Sequence, residues 1–321
     1  MTSSEVHRPS SRAWTELLHA EVAYALTQAG IPVLHIKGPT VALWLYEEGE
    51  RPWGDVDVLV PPSRMHEALA VLAGRGMAER WAGVNRHTTE DHAVTLAHTD
   101  PAKGADEVDV HDRFPGLDAD PERSFELLWR RREPAQLAHT DVWFPDFSSR
   151  ALLVALNTAR TSASPRSLRD LERVLEAGLD WEDVLALAGR LRALPALRAG
   201  LELHPAGRDL IASTELADVP VSTEWLLRRA GAPRTALRLD ELRRSPLRQR
   251  PAKIARWLFP SVGVLQMRDP RAVGGPGAIA AGYARRWADG VRSLPAAVTG
   301  LRAAAAPKTP GADDQVGGSS A

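Results

Sequence analysis

The sequence predicts an α/β (α+β) fold: a small mixed sheet flanked by helices, followed by a mainly α-helical second half. Two observations carry this. Before residue 145, valine-rich runs with charge at every second position alternate with stretches of helical apolar spacing. After "VWFPDFSS" the apolar spacing is helical almost throughout, with few β-branched runs.

Taken in order, "RAWTELLHAEVAYALTQAG" (12–30) has helical spacing and ends at Gly30, a C-terminal cap. "IPVLHI" (31–36) reads as a buried strand. Residues 39–48 read as a helix, with Pro39 in the first turn, where a missing N–H costs nothing. "DVDVLV" (55–60) is a strand closed by Pro61-Pro62, and "SRMHEALAVLAGRG" (63–76) is an amphipathic helix. "HAVTLAH" and "DEVDVHDRF" read as strands separated by a turn-rich segment. The second half offers "SSRALLVALNTAR", "SLRDLERVLEAG", "DWEDVLALAGRLRALPALRAGLEL", "STEWLLRRAG" and a terminal helix in "GPGAIAAGYARRWADGVRSL". The expected organisation is a flexible start at 1–11, a sheet-bearing domain at 12–145, a helical domain at 146–302 and a disordered tail at 303–321.

Composition narrows the function. The 321 residues suffice for two ordinary domains. Forty lysines and arginines against 41 acids give a net charge of −1, which offers no general attraction to nucleic acid or an anionic membrane. Cysteine is absent, so there is no disulfide, thiol nucleophile or cysteine-based zinc site. There is no signal-peptide core and no apolar run of spanning length. A soluble, cytoplasmic protein acting on a small molecule, peptide or protein is the expectation.

The chemistry concentrates in "KGPTVALWLYEEGERPWGDVDVLV" (37–60). On a strand, residues two apart share a face, so Asp55 and Asp57 point one way while Val56 and Val58 enter the core. Paired carboxylates repel unless a cation lies between them, and Mg²⁺ favours such hard oxygen ligands. By itself the pattern is more simply a solvent-facing strand with two hydrated aspartates. Two neighbours shift the balance. Lys37-Gly38 sits at a strand-to-helix turn, where a glycine lets backbone N–H groups approach a phosphate. In "VDVH", Asp109 repeats the alternation and would offer a third carboxylate if its strand lies beside 55–60, with His111 on the same face as a hydrogen-bonding partner.

This arrangement resembles the nucleotidyltransferase-like proteins of the DNA polymerase β superfamily. More narrowly it is similar to the branch of uncharacterised nucleotidyltransferases, with Lys37-Gly38 at the turn and Arg51, Gly54, Asp55, Asp57, Leu59 and Val60 in register. The likeness spans about residues 12–300, and its specific motifs lie in the first ~115. It implies transfer of a nucleoside monophosphate from an NTP to a small-molecule, peptide or protein acceptor, with release of pyrophosphate. Asp55, Asp57 and Asp109 would bind Mg²⁺ or Mn²⁺, and Asp109 would activate the acceptor hydroxyl. Lys37, Gly38, Thr40 and Arg51 would meet the nucleotide, although Arg51 reads equally well as a clamp on the preceding loop. Two departures stand out. Pro39 replaces the serine usual after the turn glycine in the broader superfamily, leaving Thr40 as the available hydroxyl, and Asn157 falls where relatives often carry histidine. A non-catalytic nucleotide- or protein-binding module, or a tailoring enzyme acting on a phosphorylated peptide or sugar, are the alternatives on the same fold.

Overall fold

The computed structural model describes residues 11–80, 92–100, 106–161 and 164–305. The first ten residues and the tail beyond 305 lie outside these. Helix α1 (Ser11–Gln28) is closed by Gly30 at φ +66°, and the chain turns into the short strand β1 (Leu34–His35). Helix α2 (Pro39–Leu45) stops three residues before its expected end, because Tyr46 is already extended. There follow β2 (Asp55–Leu59), α3 (Met65–Ala73), β3 (Met77–Glu79), β4 (Ala93–His98) and β5 (Glu107–His111). Together the strands form one mixed sheet in the order β1-β2-β5-β4-β3. Among the described residues of this sheet, the central β2–β5 pair is parallel and the other pairs are antiparallel.

Alternation along the strands divides the sheet into two unlike faces. Val56, Val58 and Val60, with Val108 and Val110, are buried against Val22 and Leu26 of α1 and against Leu69 and Leu72 of α3. The opposite face carries Asp57, Leu59, Asp109 and His111, and Leu59 joins a second core built largely from the helical half.

After α4 (Pro121–Arg130) comes a hairpin that the sequence pattern did not reveal, β6 (Arg132–Leu137) and β7 (Thr140–Pro145). Its two-residue turn uses Ala138 and His139, both at positive φ (44° and 60°). The Asn-Gly or Asp-Gly signal for such a turn is missing, and Pro134 inside β6 argues against a strand.

The helical half begins with α5 (Phe147–Arg160), capped by Asp146, whose side chain accepts from Ser149 N–H at 2.9 Å. It continues through α6 (Pro165–Glu176), α7 (Trp181–Arg190), α8 (Leu194–Leu201) and α9 (Pro205–Ala212). The segment 180–203 is broken into α7 and α8 where Arg192 adopts φ +56° and Pro195 opens the next helix. Helix α5 is the central post: Ala151, Leu152, Ala155 and Leu156 are fully buried, each leucine contributing about 1.5–3 kcal/mol of burial. Gly200 lets α8 approach it closely, since a Cβ there would meet Ala155 O at 2.2 Å. Leu34, Val41, Leu59 and Phe125 from before residue 145 share one core with Leu152, Leu171 and Leu197 from after it. The helices therefore pack directly on the acidic face of the sheet.

The C-terminal helices are α10 (Thr223–Arg229), α11 (Arg234–Arg244), α12 (Arg250–Leu258), α13 (Val262–Arg268) and α14 (Pro276–Ala305). Their own core is small, formed by Leu227, Ala236 and Ala297. Among the described residues no helix is long and apolar enough to cross a membrane.

Candidate functional site

Parallel pairing of β2 with β5 sets Asp57 opposite Asp109 and Leu59 opposite His111. Adjacent strands lie about 4.8 Å apart, so side chains on the shared face converge. Ligand atoms of Asp57, Asp109 and His111 all lie within 4.8 Å of one another. Asp57 is 2 % exposed, and His111 is buried beside it.

A buried carboxylate needs compensation, and here it has two donors on one oxygen. His111 Nε2 lies 2.8 Å from Asp57 Oδ1, and Lys37 Nζ donates to the same atom. Burial by itself would raise the Asp57 pKa, but the hydrogen bond from His111 and the charge of Lys37 outweigh it and hold the carboxyl well below its ordinary range. An ionised carboxylate only accepts, so His111 presents Nε2–H to it, leaving Nδ1 buried without a hydrogen-bond partner. Asp109 is oriented from the other side by Thr95 on β4, whose hydroxyl donates at 2.6 Å.

Asp55 differs. It opens β2 opposite Glu107 and remains exposed, outside the group of three. Loss of hydration around its carboxyl and the nearby charge of Asp57 raise its pKa, with Asp109 adding to the effect and Lys37 opposing it. Asp55 is thus a rim carboxylate within electrostatic reach of the other two.

The turn at Gly38 has φ +61° and ψ −108°, a conformation that suits glycine alone. Gly38, Pro39 and Thr40 are buried, and a Cβ on Gly38 would meet Trp53 Cβ at 3.4 Å. Arg51 holds this turn from beneath. Its Nη1 donates to Gly38 O at 3.2 Å, while Nε and Nη2 form a two-pronged bond to Asp170 of α6, both at 2.7 Å. Tyr46 adds a third bond to Asp170 at 2.8 Å. Arg51 thus ties the Gly38 turn, and not the loop before β2, to Asp170 of α6.

Helix α5 brings further polar groups toward the acids. Arg160 is close enough for Asp57 and Asp109 to favour its charged form, although burial lowers its pKa on balance, and its Nη2 bonds Asn157 at 3.3 Å. Asn157 and Thr158 line a cavity of about 30 Å³ with Lys37, Arg51 and Asp170, room for roughly a water. On the α1 side, His19 Nδ1 and His35 Nδ1 are 2.8 Å apart in a buried pair. Burial drives the His19 pKa down to about 4 against the pull of Asp57, and pushes that of His35 well below its usual value. Both imidazoles are therefore neutral. Thr95, Arg160, Asp170 and the histidine pair carried no motif; Asp170 left one signal, an acid on the inner edge of the strongly amphipathic "SLRDLERVL".

A mixed sheet with an acid-bearing parallel pair, covered on that face by helices, defines a nucleotidyltransferase-type fold. The model of a family described as "uncharacterised nucleotidyltransferase" matches residues 12–206, and the chain belongs to that family. Among solved structures it is similar to an antigenic nucleotidyltransferase-like protein from Paracoccidioides brasiliensis, at 14 % identity and a TM-score of 0.39, over 58 % of this chain and 95 % of that one. No curated protein matches it.

Proposed function

We propose that the chain is a metal-dependent nucleotidyltransferase that moves a nucleoside monophosphate from an NTP to a small-molecule, peptide or protein acceptor. The observation that carries this is the register of β2 against β5, which sets Asp57 and Asp109 side by side with His111. The donor set fits a divalent ion: two carboxylates with one imidazole in reach, an arrangement that is otherwise repulsive and here is balanced by Lys37. Asp57 and Asp109 would hold Mg²⁺ or Mn²⁺, with Asp55 at the rim. The bound ion would supply Lewis-acid neutralisation of triphosphate charge.

The chain's own groups supply the rest. His111 orients Asp57 and keeps it ionised. Lys37, with about a quarter of its side chain exposed, sits on a flexible stem and can exchange Asp57 for a phosphate oxygen. Asp109, fixed by Thr95, is placed to take the proton from an acceptor hydroxyl. Arg160 of α5, within electrostatic reach of Asp57 and Asp109, would offset charge that builds on pyrophosphate. Arg51 acts by holding the Gly38 turn through Asp170, and Thr40 lies beneath that turn, so a nucleotide reaches it only after the turn opens.

One observation favours a non-catalytic module instead: Pro39 opens the helix after the Gly38 turn, removing a hydroxyl and a backbone donor from the place where a triphosphate would be held. A test separates the two readings. Each of the four ribonucleoside triphosphates is supplied with Mg²⁺ or Mn²⁺ and cell extract as the acceptor source, following binding and pyrophosphate release together. Release that depends on metal and on Asp57 is expected, and binding without release would leave the module reading.

A further inference from the structure

The last helices lie beyond the 12–206 segment that the family shares, and one copy of the chain covers them poorly. Helix α12 has no buried residue among those described, α13 buries Leu265, and α14 buries Gly282 and Ala297 over 30 residues. Helices in proteins are held mainly by packing of an apolar face, so an uncovered face is a cost. Along α14 that face is Trp287, Val291, Leu294 and Val298, all exposed, Val291 by 66 %. At one end Phe259, 61 % exposed, stands edge-on to Trp287 with ring centroids 5.4 Å apart. Leu258, exposed beside it, accepts from Trp287 Nε1 through its carbonyl at 2.8 Å. The end of α12 and the stripe on α14 therefore form one continuous apolar surface.

Its shape, charge and size suit a second copy of itself. The spacing of four, three and four residues makes a narrow helix seam, not the broad apolar face that a lipid surface would take up. Valines alternating with leucine along such a seam favour pairing of two helices. Helical geometry sets Arg285, Asp289 and Arg292 on the opposite side of α14 and leaves Ala284, Ala288 and Pro295 flanking the seam. Two copies can thus meet with no like charges opposed and with their backbones close. The six side chains expose on the order of 500 Å² of apolar area. At the ~65 % apolar content of homodimer interfaces this corresponds to about 800 Å², the usual share of each partner. Residues 306–321, which follow α14, hold one large apolar side chain, Val316, too little to cover the surface.

We propose that α14 and the end of α12 form the contact between two copies of this chain, related by a two-fold axis. The test is sedimentation velocity of the full-length protein from about 1 to 100 µM, without lipid or detergent. A dimer that predominates above about 10 µM is expected. Val291→Glu and Val298→Glu should each raise the dissociation constant about tenfold or more, while Leu17→Glu on the exposed side of α1 leaves it unchanged. Val291 is the more exposed of the two, so Val291→Glu carries the test if circular dichroism shows Val298→Glu to be unfolded. A monomer at every concentration, or a monomer that instead binds vesicles of phosphatidylcholine and phosphatidylglycerol, would overturn the proposal. So would wild-type association in Val291→Glu, or an equal loss in Leu17→Glu.

Discussion

The acidic face of the sheet and the arginine-lined C-terminal cavity solve opposite charge problems in opposite ways. On β2 and β5 a like-charged group lies in a nearly filled space and is compensated from within, by the charge of Lys37 and the hydrogen bonds of His111 and Thr95. Among the C-terminal helices arginines line an open cleft of about 480 Å³, where Asp269 accepts from both Arg271 and Arg285 beside solvent. The contrast follows from packing. Helix α5 and its leucines press on the acidic face, where an unpaired charge would be costly, whereas α11–α14 share a small core and leave their arginines near solvent. Charges in a filled space depend on partners fixed in place, whereas charges beside solvent are also screened by water.

The largest effect should come from breaking the compensated cluster. Asp57→Asn and Asp109→Asn are each expected to reduce metal-dependent pyrophosphate release by about a thousandfold or more, with Asp55→Asn less severe because it stands at the rim. Equal rates in all three variants and the wild type would remove the cluster from the chemistry. Next in size is the clamp. Arg51→Ala or Asp170→Ala strands a buried charge and should destabilise by about 3–5 kcal/mol in urea unfolding, while a double replacement by apolar residues should recover much of the loss.

Smaller effects appear as pH slopes. The folded-state pKa of His19, about 4, lies below its ordinary 6.5, so the unfolded chain binds the extra proton and stability falls as pH drops between those values. Asp57 is also depressed, so its contribution is present above the ordinary carboxylate value of 3.8 and declines as pH falls below it. Asp55, raised, acts with the opposite sign: its ionisation costs stability as pH rises above 3.8. Urea midpoints across acid pH should show a shallower upper slope in His19→Leu, with His35 keeping the remainder, and lose the lower one in Asp57→Asn, and unchanged slopes would contradict these assignments. The smallest effect belongs to the open region. Arg271, 74 % exposed, pairs with Asp269 in water, and Arg271→Ala should leave the urea midpoint unchanged within error, in contrast to Arg51→Ala.

Much of the fold could be read along the chain. The valine–acid alternation placed β2 and β5, Gly30 closed α1, and helical spacing found α5, α6 and the long α14. The β6–β7 hairpin escaped because its turn holds Ala138 and His139 where such turns favour asparagine and glycine. In the 180–203 stretch the left-handed turn at Arg192 was not advertised by its side chain, although Pro195 marked the start of the next helix. Around the site, the acids and the Gly38 turn were visible as local patterns, whereas Asp170, Thr95 and Arg160 were not, each being an ordinary residue on an ordinary element until another segment is placed against it.

What the sequence determined by itself was therefore the local geometry: which acids share a strand face, where glycine permits a turn, which helix faces are apolar. These follow from covalent dihedrals and the periods of two and 3.6 residues, which need only neighbouring positions. Only the tertiary structure decided that β2 lies parallel to β5 in the register that brings Asp57 to Asp109, that Arg51 grips Asp170, and that the C-terminal arginines gather around one space. Those choices depend on the summed packing of segments distant in the chain, a quantity that no single stretch of residues contains.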